Sequence, residues 1–322
     1  MANYSRHVLI VFFIFTSIGV FYFLAGSRVF PAISDSTFAK RIVQKCASKP
    51  RSIVECYSYN LAKLTKFFDI SFAFLTLGKI QELDPRANNC HYIAHFIARA
   101  EVEKDVSRWQ EVLRLCPAVD NLCIRGCSHG AAEILVEKLP EGLTTENMKK
   151  ICDATDGLCH HTLGHLFPFE TNGDISKALQ LCELLSDTFK IEPLEKYLCV
   201  SGVFMEVETG GALPAHGLAA ASGLSWPRKI SEVKELCHRY SGLYATACWG
   251  ELVHLLVEET GAEPHQTFSN CDSADIPRAR WNCYRHGIGI LAAEPRFAFK
   301  FQHAQSICQT LGQPAPETQR EC

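Results

Sequence analysis

Histidines recur at helical spacing in this sequence. The 322-residue chain holds 13 histidines. His91 and His95, and likewise His161 and His165, are four residues apart, so each pair shares one face of a helix. His129 is followed four residues later by Glu133, so the same spacing also occurs between a histidine and a carboxylate. Imidazole and carboxylate groups that converge from neighbouring helices bind zinc, iron or copper. The predicted metal ligands are His91, His95, His129, Glu133, His161 and His165.

Weaker candidates follow later in the chain, where His254 and His286 occupy related places and Glu206 and Glu251 extend the polar set. The predicted cofactor is a transition metal or a non-covalent haem. The competing interpretation is structural, because a histidine near a helix start also caps the helix or joins a buried hydrogen-bond network.

Known catalytic motifs are missing from the sequence. It has no CxxCH for covalent haem, no HExxH zinc motif, and no Walker, GxSxG or GxGxxG motif. Whether the protein is an enzyme therefore stays open, and a metal-activated water is the activity that the histidines suggest.

The cysteines reveal the elements that must position these histidines. One type of segment is amphipathic and ends in cysteine, as in TTENMKKIC before residue 153. The other type begins at a cysteine and continues as an apolar helix. Cysteines of the second type stand 33 to 49 residues apart, at positions 56, 90, 123, 159, 199, 248 and 283. A period near 35 residues with two helices per unit is typical of helical-repeat proteins.

One rule, in which the end of one helix is tied to the start of the next, pairs fourteen of the sixteen cysteines. Cys90 and Cys127 are left over by this rule and are predicted to join neighbouring repeats. A zinc or iron–sulfur protein would need CxxC pairs, and none occurs. The predicted disulfides are Cys46–Cys56, Cys90–Cys127, Cys116–Cys123, Cys152–Cys159, Cys182–Cys199, Cys237–Cys248, Cys271–Cys283 and Cys308–Cys322.

The predicted fold is all-α, with about seven disulfide-stapled helical hairpins that form a solenoid or a partial α/α-toroid. The second helix of each hairpin is expected to line the inner side. Glycines near the starts of these helices, such as Gly126, Gly164 and Gly202, are expected to let neighbouring helices approach closely. The predicted helical-repeat domain spans residues 37–322.

An uncharged stretch from Val8 to Ala25 is just long enough to cross a bilayer as a helix. It predicts a short cytoplasmic tail at 1–7, a signal-anchor at 8–25 and a connector at 26–36. Since every cysteine follows this stretch, the folded part is expected on the non-cytoplasmic side, in a periplasm or a secretory lumen. A signal peptide cleaved near Ala25 is the alternative.

Charge and composition limit the partners. The net charge is −3 and no basic cluster occurs, so nucleic acid is excluded. One alternative function is a protein-interaction scaffold of the cell envelope. Another is a sugar- or peptide-binding toroid that uses Trp226, Trp249 and Trp281 as platforms, with the Gly-, Ala- and Pro-rich loop at 209–227 as a lid.

The segments CHYIAHFIARAE from Cys90 and GCSHGAAE from Gly126 resemble a recurring CHxxxH and GCxHG pattern in uncharacterised bacterial envelope proteins. The resemblance covers residues 90–165 best and fades afterwards, since Cys199 is followed by VSGVFME without a histidine. It implies a helical repeat in the cell envelope and no particular activity.

Overall fold

A computed structural model describes most of the chain after residue 34. The described residues are 35–48, 53–87, 90–119, 123, 126–138, 142–155, 159–189, 191–212 and 226–293. Every regular element among them is helical, which confirms the all-α prediction. Among these residues, none of the helices combines the length and apolarity that a bilayer crossing requires. The predicted tail and signal-anchor, 1–25, lie outside the described residues.

Fifteen α-helices follow one another in the described part of the chain. They are α1 (Asp35–Cys46), α2 (Ile53–Thr65), α3 (Ile70–Leu83), α4 (His91–Lys104), α5 (Trp109–Val119), α6 (Gly126–Lys138), α7 (Thr145–Ala154), α8 (Cys159–Glu170), α9 (Ile175–Phe189), α10 (Pro193–Ala212), α11 (Ile230–His238), α12 (Gly242–Glu251), α13 (Val253–Glu259), α14 (Pro264–Cys271) and α15 (Pro277–Ala293). Short 3₁₀ turns at Pro85–Ala87 and Val106–Arg108 precede α4 and α5.

These helices form seven hairpins within the described residues: α1/α2, α3/α4, α5/α6, α7/α8, α9/α10, α11/α12 and α14/α15. The second helices pack side by side in chain order, from α2 through α4, α6, α8, α10 and α12 to α15. We call this series the inner row. The repeat that the cysteine period predicts is therefore confirmed.

We call the first helix of each hairpin its outer helix. Two outer helices begin where the local sequence provides an N-cap. Thr144 caps α7 by accepting a hydrogen bond from the Asn147 amide at 3.2 Å, and Asp174 caps α9 by accepting one from the Lys177 amide at 3.1 Å. Outer helices bury one face, whereas α6 buries all ten residues from Gly126 to Leu135. Helices of the inner row are thus enclosed by neighbours, and polar side chains on them face protein.

Close approach of α4 and α6 depends on two glycines. A Cβ at Gly126 would lie 2.2 Å from the carbonyl oxygen of His91, and one at Gly130 would lie 2.2 Å from that of His95. These distances are far below van der Waals contact, so only glycine fits. The backbones that carry the first histidine pair therefore touch the backbone of α6.

The contact between α8 and α10 repeats this arrangement. A Cβ at Gly164 would lie 2.1 Å from the carbonyl oxygen of Cys199, and one at Gly202 would lie 2.2 Å from that of His161. The role predicted for Gly126, Gly164 and Gly202 is confirmed.

Five of the predicted disulfides are present. They are Cys46–Cys56, Cys152–Cys159, Cys182–Cys199, Cys237–Cys248 and Cys271–Cys283. Each joins the two helices of one hairpin. The predicted Cys308–Cys322 bridge lies outside the described residues.

Two predicted disulfides are wrong. The structure forms Cys90–Cys123 and Cys116–Cys127 in place of Cys90–Cys127 and Cys116–Cys123. Because α6 begins at Gly126, Cys127 is the hairpin cysteine of this repeat, and Cys123 precedes the helix. Helix α3 contains no cysteine, so Cys90 bonds to the next repeat through Cys123.

The inner row curls back on itself. Tyr92 of α4 donates a hydrogen bond to Glu208 of α10, 116 residues away, and Glu208 also contacts His254 of α13. This contact joins repeats that are not neighbours in the chain. The region enclosed between α4, α6, α8 and α10 is where the candidate ligands meet.

Three further predictions need correction. Helix α1 begins at Asp35, inside the predicted connector. Helix α10 extends to Ala212, so the start of the predicted loop at 209–227 is helical, and residues 213–225 lie outside the described residues. Trp226 is 5% exposed and Trp249 is 2% exposed. Both belong to the core and are not available as platforms for a sugar or a peptide.

Candidate metal centre

Five of the predicted histidines form one cluster at the inner row. The ring of His129 lies at its centre, with centroid distances of 5.1 Å to His91, 5.4 Å to His95, 5.0 Å to His161 and 4.1 Å to His165. We call these five side chains the imidazole cluster. The structure therefore brings together all five histidines that their spacing singles out.

Three adjacent helices contribute the cluster. Helix α4 supplies His91 and His95, α6 supplies His129, and α8 supplies His161 and His165. The ring of His129 stands between the two i,i+4 pairs because α6 packs between α4 and α8. His95, His129 and His165 are at most 1% exposed, and His91 keeps a partly exposed surface.

Acceptors outside the imidazole cluster orient the rings of the first pair, His91 and His95. Nδ1 of His91 lies 3.2 Å from the carbonyl oxygen of Cys123, and Nδ1 of His95 lies 2.7 Å from Oε1 of Glu133. A carbonyl only accepts, so Nδ1 of His91 carries the hydrogen and Nε2 carries the lone pair. Anchoring of one ring nitrogen on a carbonyl or carboxylate is the usual support of a metal-binding histidine.

The second pair repeats this pattern one repeat further along. Nδ1 of His161 lies 3.1 Å from the carbonyl oxygen of Leu198, and Nδ1 of His165 lies 3.3 Å from Oε2 of Glu206. In both pairs, the first histidine is held by a backbone carbonyl and the second faces a glutamate of the next inner helix. Glu133 thus orients a ligand and need not bind the metal itself.

A partly buried ion pair with Arg99 keeps Glu133 in place. The guanidinium of Arg99 lies 3.5 Å from Oε2 of Glu133 and 2.5 Å from Oε2 of Glu137. The same carboxyl group accepts the hydrogen bond from Nδ1 of His95 through Oε1. Nε2 of His95 then carries a lone pair as well.

Ring nitrogens of three histidines approach one another inside the cluster. Nε2 of His91 lies 3.1 Å from Nε2 of His95 and 3.4 Å from Nδ1 of His129. A tetrahedral zinc ion with bonds of about 2.05 Å has nitrogen ligands roughly 3.3 Å apart. The observed distances match the edges of such a tetrahedron, and a cation between the nitrogens would remove their repulsion.

Protonation of the imidazoles does not relieve this repulsion near neutral pH. Desolvation, followed by the effects of His95 and His161, lowers the pKa of His91 to about 3. Desolvation and the nearby Arg99 lower the pKa of His95 to about 3 as well, and burial lowers the pKa of His129 well below its ordinary value. These three rings are therefore neutral and present lone pairs, as metal ligands must.

One set of ligand atoms is close enough for a single ion. Nitrogens of His91, His129 and His165 all lie within 4.8 Å of one another. Nε2 of His129 is buried and has no hydrogen-bond partner among the described residues. A buried nitrogen without a partner costs free energy unless something binds it.

Glu206 adds a carboxyl group whose charge depends on its surroundings. Burial raises the pKa of Glu206 well above its ordinary value, and the neighbouring Glu133 and Glu208 raise it further. This shift favours the protonated form of the carboxyl group. A bound metal ion would favour its ionisation.

The weaker candidates lie outside the imidazole cluster. His254 contacts Glu208, and His286 packs near Gly250, where desolvation lowers its pKa. Glu251 accepts a hydrogen bond from Ser201. The helical spacing of the histidines therefore predicts the members of the imidazole cluster but not the positions of these later residues.

Sequence reasoning missed three polar residues around the cluster. Arg99 stands four residues after His95, at helical spacing, which is a signal that the sequence does offer. Tyr92 and Glu208 meet only because the inner row curls, and a contact over 116 residues leaves no local pattern.

Comparison of the chain with protein-family models, with curated proteins and with solved structures gives no significant match.

Proposed function

We propose that this protein binds a transition-metal ion through the imidazole cluster, in an oxidising compartment outside the cytoplasm. The observation that carries the proposal is the convergence of ring nitrogens from three helices, with four of the five rings held by a partner outside the cluster. Imidazole ligands suit zinc, copper, iron and nickel.

A purely structural histidine network fits the geometry less well. In such a network each contact pairs a donor with an acceptor, whereas Nε2 of His91 and Nε2 of His95 face each other as two acceptors at 3.1 Å. Haem fits less well than a single ion, since ring centroids 4.1 to 5.4 Å from His129 leave no gap for a porphyrin.

Metal analysis tests the proposal. The full chain is purified in detergent, stripped with a chelator, and dialysed separately against Zn²⁺, Cu²⁺, Co²⁺ and Ni²⁺. We expect at least one ion per chain for zinc or copper. Less than about a tenth of an ion per chain for every metal would overturn the proposal.

The matched variants are His91→Ala with His165→Ala, and His160→Ala as the control. His160 lies on the same helix as His161 but faces Glu195 at 3.7 Å, away from the cluster. We expect the double variant to lose bound metal and the control to retain it.

The compartment is supported by the cysteines. All fourteen cysteines among the described residues form disulfides, and none of these fourteen is free. Dense disulfides persist in oxidising spaces. We further propose that residues 8–25 hold the domain at a membrane, with the hairpins on the non-cytoplasmic side.

Anchoring is tested by N-terminal sequencing of the mature protein and by alkaline extraction of membranes. We expect an N-terminus upstream of residue 8 and retention in the membrane pellet. A new N-terminus near Gly26, with release into the soluble fraction, would indicate a cleaved signal peptide.

A further inference from the structure

His129 differs from the other four members of the imidazole cluster. Those four rings direct Nδ1 to a partner outside the cluster. Nδ1 of His129 instead lies 3.4 Å from Nε2 of His91. Its Nε2 is buried and has no hydrogen-bond partner among the residues that the structure describes. Both nitrogens of this one ring therefore lie inside the cluster.

The number of ligands exceeds what one ion uses. A tetrahedral ion takes four ligands and commonly takes three from the protein. Here the cluster offers five imidazoles, and the ring of His129 at its centre contacts all four others. One tetrahedral ion would therefore leave at least one of the five rings uncoordinated.

The two histidine pairs lie on opposite sides of His129. His91 and His95 come from α4, on one side of α6, and His161 and His165 come from α8, on the other side. In the first pair, Nε2 of His91 lies 3.4 Å from Nδ1 of His129 and 3.1 Å from Nε2 of His95, while the ring of His165 stacks on His129 at 4.1 Å.

We propose that the cluster holds two metal ions bridged by the imidazolate of His129. The inference rests on the proposed metal-binding function and deepens it. One ion binds Nδ1 of His129 together with Nε2 of His91 and His95. The other binds Nε2 of His129 together with His161 and His165.

Bridging changes the protonation of His129. The neutral ring carries one N–H hydrogen, and that proton is released to the solvent buffer when the second ion binds. Each nitrogen then donates one lone pair to one ion, and no electron is transferred. Two metal–nitrogen bonds of about 2 Å on opposite sides of one ring place the ions roughly 6 Å apart.

Copper titration of the full chain tests the pair. The metal-stripped protein in detergent is titrated with Cu²⁺ alone, and bound copper and the electron paramagnetic resonance signal are measured together. We expect two ions per chain and loss of most of the cupric signal at low temperature, because an imidazolate bridge couples the two spins. One ion per chain, or two ions with the full signal of independent spins, would overturn the bridge.

His129→Ala provides a second measurement. Removal of the bridge should restore a full signal for each copper that remains bound, whereas His160→Ala should keep the coupled behaviour of the wild type. Should His129→Ala fail to fold, the wild-type stoichiometry and signal still decide the question.

The two proposals fail in different ways. Absence of any bound zinc or copper contradicts metal binding itself. A single bound ion that is lost in the His91→Ala, His165→Ala variant leaves metal binding intact and contradicts only the bridged pair.

Discussion

The carboxylate of Glu133 illustrates how a single residue can tune the imidazole cluster. It is fully buried, orients His95 at 2.7 Å and is paired with Arg99. We predict that Glu133→Gln, which keeps the shape but removes the charge, lowers the affinity for Zn²⁺ by about 10–100-fold. Competition with a chromophoric chelator measures the change.

Glu137→Gln is the matched control for Glu133→Gln. Glu137 lies one turn further along α6 and shares the same Arg99 at 2.5 Å. An equal loss of affinity in both variants would show that Glu133 acts through the general charge of the region and not through His95.

Glu251 gives a prediction for pH dependence. Burial raises the pKa of Glu251 from its usual 4.5 to about 7, and Glu208 adds to this effect. Between these two values the folded state holds a proton that the unfolded state releases, so the free energy of unfolding falls as the pH rises. Above pH 7 the loss is complete and stays constant.

We therefore predict that Glu251→Gln is more stable than the wild type at pH 8, by about 2–3 kcal/mol. Near pH 4.5 the two proteins should be equally stable. Urea unfolding followed by circular dichroism at both pH values measures the difference. Glu235→Gln, at an exposed position paired with Arg239, should show no such change, and a similar gain there would contradict the assignment to Glu251.

At the scale of the elements, the glycines of α6 set the distance between α4 and α6. A methyl group at position 130 would lie 2.2 Å from the carbonyl oxygen of His95. We predict that Gly130→Ala separates the two helices, lowers the free energy of unfolding by about 1–3 kcal/mol or more, and weakens metal binding. Thermal unfolding and zinc competition measure the two effects.

Gly78 in the middle of α3 is the control for this substitution. No atom lies within 4 Å of a Cβ placed there. Gly78→Ala should stabilise the protein by about 0.5–1 kcal/mol, because alanine is the better helix former. Destabilisation by both substitutions would indicate that close helix contact is not the cause.

The hairpins and their inner helices could be predicted because their signals are local. A cysteine period near 35 residues and histidines four residues apart are written directly in the sequence, so the hairpins and the five imidazoles were identified. The predicted partner of Cys116 is wrong because α6 begins at Gly126 and not at Cys123. The separation of 11 residues in Cys116–Cys127 equals that in Cys237–Cys248, a signal that the rule overlooked.

The groups outside the imidazole cluster that hold its rings could not be predicted in the same way. Leu198 holds His161 through a backbone carbonyl, which any residue type supplies. Glu208 meets Tyr92 through the curl of the inner row. Such contacts depend on the angles between successive hairpins, and neither periodicity nor composition determines these angles.

At the scale of the whole molecule, the curl separates this chain from a simple stack of repeats. In an open solenoid each repeat contacts only its neighbours, and its stability is a sum of local terms. The bond from Tyr92 of α4 to Glu208 of α10 joins repeats that are far apart in the chain. Burial and the adjacent Glu208 raise the pKa of Tyr92 well above its ordinary value, so the hydroxyl remains a donor.

We predict that Tyr92→Phe lowers the free energy of unfolding by about 1–3 kcal/mol, because a buried oxygen of Glu208 loses its donor. Amide hydrogen exchange should become faster in α4 and in α10 together. Tyr57→Phe is the matched control, because Tyr57 donates a buried hydrogen bond to Asp84 in the adjacent hairpin. Its effect should stay within α2 and α3. If Tyr92→Phe also changes exchange only in the helices next to it, the curled row does not couple distant repeats, and the enclosure of the imidazole cluster depends on neighbour contacts alone.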